Sequence, residues 1–205
     1  MPESVDIRPN AGSPDASQVT ADDDRYVINN MVSRFTVQAF ASGILSAFGH
    51  DPKIAIRDLK GEIHFDPQHI EKSTMHLAIR ADSLSVTDNI SDKDRRDIEA
   101  DMRGKVLETD KYPEIVFDVS GVTVNKTDGG QSNVMLTGQL TLHGVTRPQR
   151  VPATLAVTGD MLRAFGEFPL RQTDYNIKPV SAVGGGLKVK DEVKFTFDIV
   201  ARKDG

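Results

Sequence analysis

The chain has 205 residues, no cysteine, no tryptophan and a formal charge of −5. Without cysteine there are no disulfides, thiolate metal sites or cysteine nucleophiles, and the length suits one domain plus a tail. The charge is concentrated at one end: residues 1–24 carry Glu3, Asp6, Asp15, Asp22, Asp23 and Asp24 against Arg8 alone, leaving 24 acids and 24 bases in the remainder. A body so balanced offers no basic face of the kind nucleic acid requires, so nucleic acid is not an expected partner.

Residues 1–24 contain Pro2, Pro9 and Pro14 and no apolar run, and are expected to form a disordered acidic tail ahead of a folded domain at 25–205. No basic start followed by an apolar segment is present, which suits a cytoplasmic protein as written. A leader removed upstream would instead make it periplasmic or secreted. No stretch approaches the roughly 18 apolar residues of a membrane helix.

Strands are predicted in chain order at Arg34 to Phe40, Lys53 to Leu59, Gly61 to Asp66, Ser73 to Ala81, Glu114 to Val119, Val122 to Asn125 and Asn133 to Leu142. After a tight HGVTRP turn they resume at Arg150 to Val157, Met161 to Phe168 and Glu192 to Ala201. Alternation is sharpest in the last, where Val193, Phe195, Phe197 and Ile199 face one way and Lys194, Thr196 and Asp198 the other. One segment differs: Ser91 to Leu107 opens on a potential cap and spaces Ile98, Met102 and Val106 by four, predicting an amphipathic helix. Such a helix would buttress one end of a barrel, or act as a lid whose Ile98 and Met102 touch ligand. Gly184, Gly185 and Gly186 read as a flexible hairpin loop.

Five pieces in order carry a family resemblance: FGHDPKIAIRDLKGEIHFD from Phe48, SLSVTD from Ser83, YPEIVFDVSGV from Tyr112, LTGQLTLHGVTRPQRV from Leu136 and LRQTDYNI from Leu170. Together they resemble the YceI-like family over roughly Ser33 to Lys203. One departure is MRGKVLETDKYPE, where relatives often place an aromatic after the helix. The resemblance implies an all-β, antiparallel, lipocalin-like barrel of about eight strands that holds a polyisoprenoid or other long amphiphile.

Barrels of that size either fill with side chains or hold one small ligand. Lining candidates are the inward residues Phe35, Val37, Ile54, Ile56, Ile63, Phe65, Met75, Leu77, Ile79, Ile115, Phe117, Leu136, Leu140, Phe195 and Phe197, each equally explicable as ordinary core. Head-group candidates at the rim are His50 and Asp51, together with Arg171 and Tyr175, which with Asp174 match the family's Arg-x-x-acid-aromatic pattern. An ion-paired rim is the plainer reading of that cluster.

No Gly-x-Ser-x-Gly elbow or phosphate loop is present, and no catalytic residue is assigned. His50, His64, His69, His76 and His143 are the only metal-binding side chains of note. Their spacing puts His64 and His76 toward solvent and His143 at a turn, so no metal site is assigned. The reading is a non-enzymatic barrel that stores or transports an isoprenoid, quinone-like or similar lipid, that ligand being its only expected cofactor-like molecule. A homodimer is compatible with it. The alternatives are a small histidine-dependent metalloenzyme and an interaction module that docks through its acidic tail.

Overall fold

The computed structural model describes residues 24–42, 51–182 and 187–204. The strands in order are β1 (Asp24–Ile28), β2 (Arg34–Gln38), β3 (Ala41–Ser42), β4 (Lys53–Ile56), β5 (Leu59–Phe65), β6 (Thr74–Arg80) and β7 (Leu84–Val86), followed by helix α1 (Asp92–Asp101). After α1 come β8 (Glu114–Asp128), β9 (Gln131–Leu142), β10 (Val145–Thr158), β11 (Met161–Arg171), β12 (Ser181–Ala182), β13 (Leu187–Val189) and β14 (Glu192–Lys203). The sheet runs β1-β5-β6-β8-β9-β10-β11-β14, and β14 pairs back onto β1 to close an eight-stranded antiparallel barrel.

β14 is long enough to serve two neighbours. Its Ala201–Lys203 end pairs with β1, whereas Lys194–Asp198 pairs with β2, which continues through β4 to β7. The remaining strands β12, β13 and β3 form a small separate sheet. Alternation decides the interior: Val193, Phe197, Ile199 and Ala201 of β14 are buried, as are Leu77 and Ile79 of β6 and Leu162, Ala164, Phe168 and Leu170 of β11. Four phenylalanines from three strands meet there: Phe35 stacks on Phe197 at 5.8 Å and Phe168 on Phe195 at 5.1 Å.

Several expected boundaries change. β1 was not foreseen, and Asp24 belongs to it, its carboxylate 2.7 Å from Lys203 Nζ. The two strands expected at 114–119 and 122–125 are one, with register shifts between Val119 and Gly121 and between Val124 and Lys126. The first of these bulges passes the buried positions from Val119 to Val122, which to a strict two-residue period reads as a break. The turn expected over HGVTRP is only His143 and Gly144, both with positive φ, and β10 starts at once with Val145.

The helix departs furthest from its expected face. Ser91 caps it, Oγ accepting from the Asp94 amide at 3.1 Å, but none of its ten residues is buried and Ile98 is exposed. Eight of those ten are charged, so α1 has no apolar stripe to bury. A π-helical turn, Met102–Val106, follows and puts Met102 into the core. What binds α1 to the barrel is polar: Glu99 accepts from the Val86 amide at 3.0 Å, Arg95 donates to the carbonyls of Val86 and Asp88, and Arg103 to those of Asp82 and Leu84.

Candidate functional site

Among the described residues, two narrow apolar cavities lie in the barrel interior. The larger is bounded by Phe35, Met75, Leu77, Ile79, Ile115, Phe117, Leu136, Leu140, Leu142, Val151, Ala164, Phe168, Phe195, Phe197 and Ile199, with Gln149 as the one polar side chain in its wall. Each cavity leaves about 50 Å³ for the centre of a water molecule. That holds a few small molecules. A long chain fits only if side chains give way.

The second cavity is bounded by Ile63, Phe65, Ile70, Ser73, Thr74, Met75, Val119, Val122, Val134, Leu136, Ala153, Leu155, Leu162 and Ala164. Met75, Leu136 and Ala164 belong to both walls and form the partition between them. Met75 is an unbranched thioether side chain, the kind that most readily moves aside in a core.

Of the fifteen lining candidates, ten surround the larger cavity and Ile63 and Phe65 border the second. Val37, Ile54 and Ile56 border neither. They lie in β2 and β4, in the extension that continues past the closed ring, and pack as core there. Cavity residues not foreseen from sequence include Leu142, Val151, Ala164, Phe168 and Ile199. All five obey the same alternation, so the signal was present. Gln149 escapes the sequence reading because it lies between the HGVTRP turn and the strand expected from Arg150.

A third, roomier space of about 370 Å³ by the same measure lies at the surface among Arg147, Pro148, Gln149, Pro169, Leu170, Arg171, Asp174, Tyr175 and Glu192. Two rim candidates, Arg171 and Tyr175, are therefore brought together beside Gln149. They do not form the ion-paired cluster expected with Asp174. Arg171 Nε is instead 3.3 Å from Asp191, whose carboxylate also accepts from the Thr173 hydroxyl at 2.7 Å and amide at 2.8 Å. Those bonds, the Thr173 hydroxyl foremost, hold the Asp191 carboxyl below its ordinary range. The carbonyl of Asp174 accepts from Arg147 Nε. Tyr175 is buried, which pushes its phenol upward.

The other rim pair does not join this groove. Asp51 accepts from the Ala41 amide at 2.8 Å and so ties down the start of β3, while His50 lies outside the described residues. The described histidines are dispersed, each beside its own carboxylate: His64 with Glu62, His69 with Asp66, His76 with Asp118 and His143 with Glu108. Among the described residues no three His, Asp or Glu side chains are grouped to hold a metal ion.

This architecture recurs in solved structures. BcnA of Burkholderia cenocepacia superposes with a TM-score of 0.65 at 19% identity, over 84% of this chain and 98% of that one. A polyisoprenoid binding domain from Saccharophagus degradans gives 0.64 at 14% identity, over 87% and 98%. At the sequence level, Protein YceI of Shigella flexneri is 32% identical over 130 residues, 60% of this chain. The match spans about three fifths of the length of that relative. The YceI-like domain profile matches residues 14–201, nearly the full chain, and the protein belongs to the YceI-like family.

Proposed function

We propose that the barrel binds and carries a long-chain isoprenoid, quinone-like or similarly amphiphilic lipid, and performs no chemistry on it. The observation that carries this reading is the pair of apolar cavities that share Met75, Leu136 and Ala164 in their walls, with one polar wall residue, Gln149, that also borders the Arg147–Arg171 groove. An apolar chain buried along that axis gains about 0.8 kcal/mol per methylene, so tight binding needs no covalent bond. The structural neighbour from Saccharophagus degradans, described as a polyisoprenoid binding domain, supports the same ligand class.

Protein purified without detergent and extracted with organic solvent is expected to release a prenyl or acyl lipid in near-stoichiometric amount, seen also as a mass increment by native mass spectrometry. An empty extract together with no uptake of added quinone would sink the carrier reading. Stoichiometric zinc or iron in the purified protein would favour a metalloenzyme instead.

A further inference from the structure

The hairpin of β10 and β11 is joined along only part of its length. Pairing runs from Thr158–Met161 to Thr154–Phe165 and no further, although β10 stays paired with β9 back to Val145 and β11 with β14 out to Arg171. Two-residue turns close on a hydrogen-bonded pair. Counting from the turns at His143–Gly144 and Gly159–Asp160, the even residues of β10 and the odd residues of β11 turn their amides toward one another. Extending the register sets Pro152 opposite Glu167, Arg150 opposite Pro169, and Pro148 opposite Arg171. Each of the three pairs contains one proline, and each proline deletes one of its pair's two bonds. These are the only prolines in any described strand.

At Gly166, one position past the last paired residue of β11, the strands still lie close, since a Cβ there would overlap the Pro152 carbonyl. Beyond it lies the 370 Å³ groove, with Arg147, Pro148 and Gln149 on one side and Pro169, Leu170 and Arg171 on the other. Arg147 and Gln149 share the inward register positions of β10 with buried Val151, and Gln149 borders both the groove and the larger apolar cavity. A gap in the wall, a polar groove outside it and an apolar cavity inside it thus meet at one residue.

We propose that this proline seam is the lateral portal of the barrel, a reading that rests on the carrier function above. The apolar chain passes sideways between β10 and β11 over Gln149 into the cavity. A head group bearing oxygen acceptors stays in the groove, where the Arg147 guanidinium, its Nε held by the Asp174 carbonyl, and the Gln149 amide, one N–H of which goes to the Arg150 carbonyl at 3.2 Å, supply their remaining N–H donors. Proline keeps the seam from zipping without introducing a charge into the path.

The chain has no native cysteine, so Arg150→Cys with Pro169→Cys places a unique thiol pair on the two exposed facing positions. A short bis-maleimide, its single insertion verified by intact mass, fixes the width of the seam. Uptake of cis-parinaric acid, followed by stopped-flow fluorescence, should slow about tenfold relative to the same variant singly capped with a monomaleimide, as for a gate held shut. Equal uptake rates in the linked and capped proteins would overturn the portal while leaving the carrier reading intact. Failure of the capped protein to bind either parinaric acid or ubiquinone overturns both. A second variant, Gln149→Leu, should retain saturable binding but weaken retention of the carboxylate probe relative to an uncharged alkane of equal length, and an unchanged preference between the two would count against the head-group groove.

Discussion

Glu108 and His143 are joined, Oε2 to Nε2 at 2.8 Å, and both hold left-handed backbone with φ of 45° and 51°. The other ring nitrogen, Nδ1, lies 3.2 Å from the Tyr175 carbonyl, and Tyr112 packs on the imidazole at 4.4 Å. One nearly buried side chain therefore ties together the loop after α1, the β9–β10 turn and the turn that carries Tyr175. His143→Ala is expected to lower unfolding free energy by about 1–3 kcal/mol, because it empties a nearly buried side-chain position and strands the carbonyl of buried Tyr175, while half-exposed Glu108 regains water. His143→Asn, which tolerates the left-handed turn, should lose the same contacts without the added backbone cost. Urea denaturation of both separates the two contributions.

Packed core and cavity wall should respond differently to truncation. Leu162 is 1% exposed, and Leu162→Ala should cost about 2–5 kcal/mol. Phe117 is only partly buried and borders the larger cavity, so Phe117→Ala should cost clearly less than the 3–5 kcal/mol typical of a packed phenylalanine while altering ligand uptake. Equal large losses at both sites with unchanged binding would mean that the barrel is filled.

The partition between the cavities predicts a ruler. Ala164→Leu adds bulk where both cavities meet and should shorten the longest alkyl or prenyl chain retained, at a stability cost of about 1–3 kcal/mol. Met75→Ala removes the movable part of the partition and should extend that length. Competition with chains of graded length reads both effects, and a length profile identical in the two variants would contradict a ligand that crosses the partition.

Asp66 gives the acid limb of stability. Burial by itself would raise its carboxyl, but the amides of His69 and Gln68 and the His69 ring outweigh burial and leave it lowered. A carboxyl lowered in the folded state contributes stability above its ordinary range and loses that contribution as pH falls through the lowered value. Asp66→Asn should therefore flatten the decline in melting temperature on acidification. A parallel decline in wild type and variant would show that other carboxylates govern it.

Alternation made the strands legible, because β9, β11 and β14 keep a two-residue period almost from end to end, and the family resemblance closed them into a barrel. It failed where the period is broken by geometry that no residue announces: the bulge at Ser120, and the switch from a closed ring to a flaring extension that leaves Val37, Ile54 and Ile56 away from the cavities. Arg147 and Gln149 were hidden for another reason. Pro148 closes what reads as the HGVTRP turn and delays the expected strand to Arg150, whereas Pro148 and Pro152 both fall where their missing amides face only the open side of β10. Helical spacing of Ile98, Met102 and Val106 was real, but three apolar residues could not outweigh a surface otherwise made of charge.

The charged helix that hides little apolar surface nonetheless stands guard over β7. A three-residue strand at the end of a sheet is an open template for another chain, and Glu99, Arg95 and Arg103 occupy its free amide and carbonyls before any second molecule can. The cover is electrostatic and only partly buried, so its strength should fade with salt. Concentrated solutions at high ionic strength are where self-association of this barrel should begin, by strand addition at Leu84–Val86.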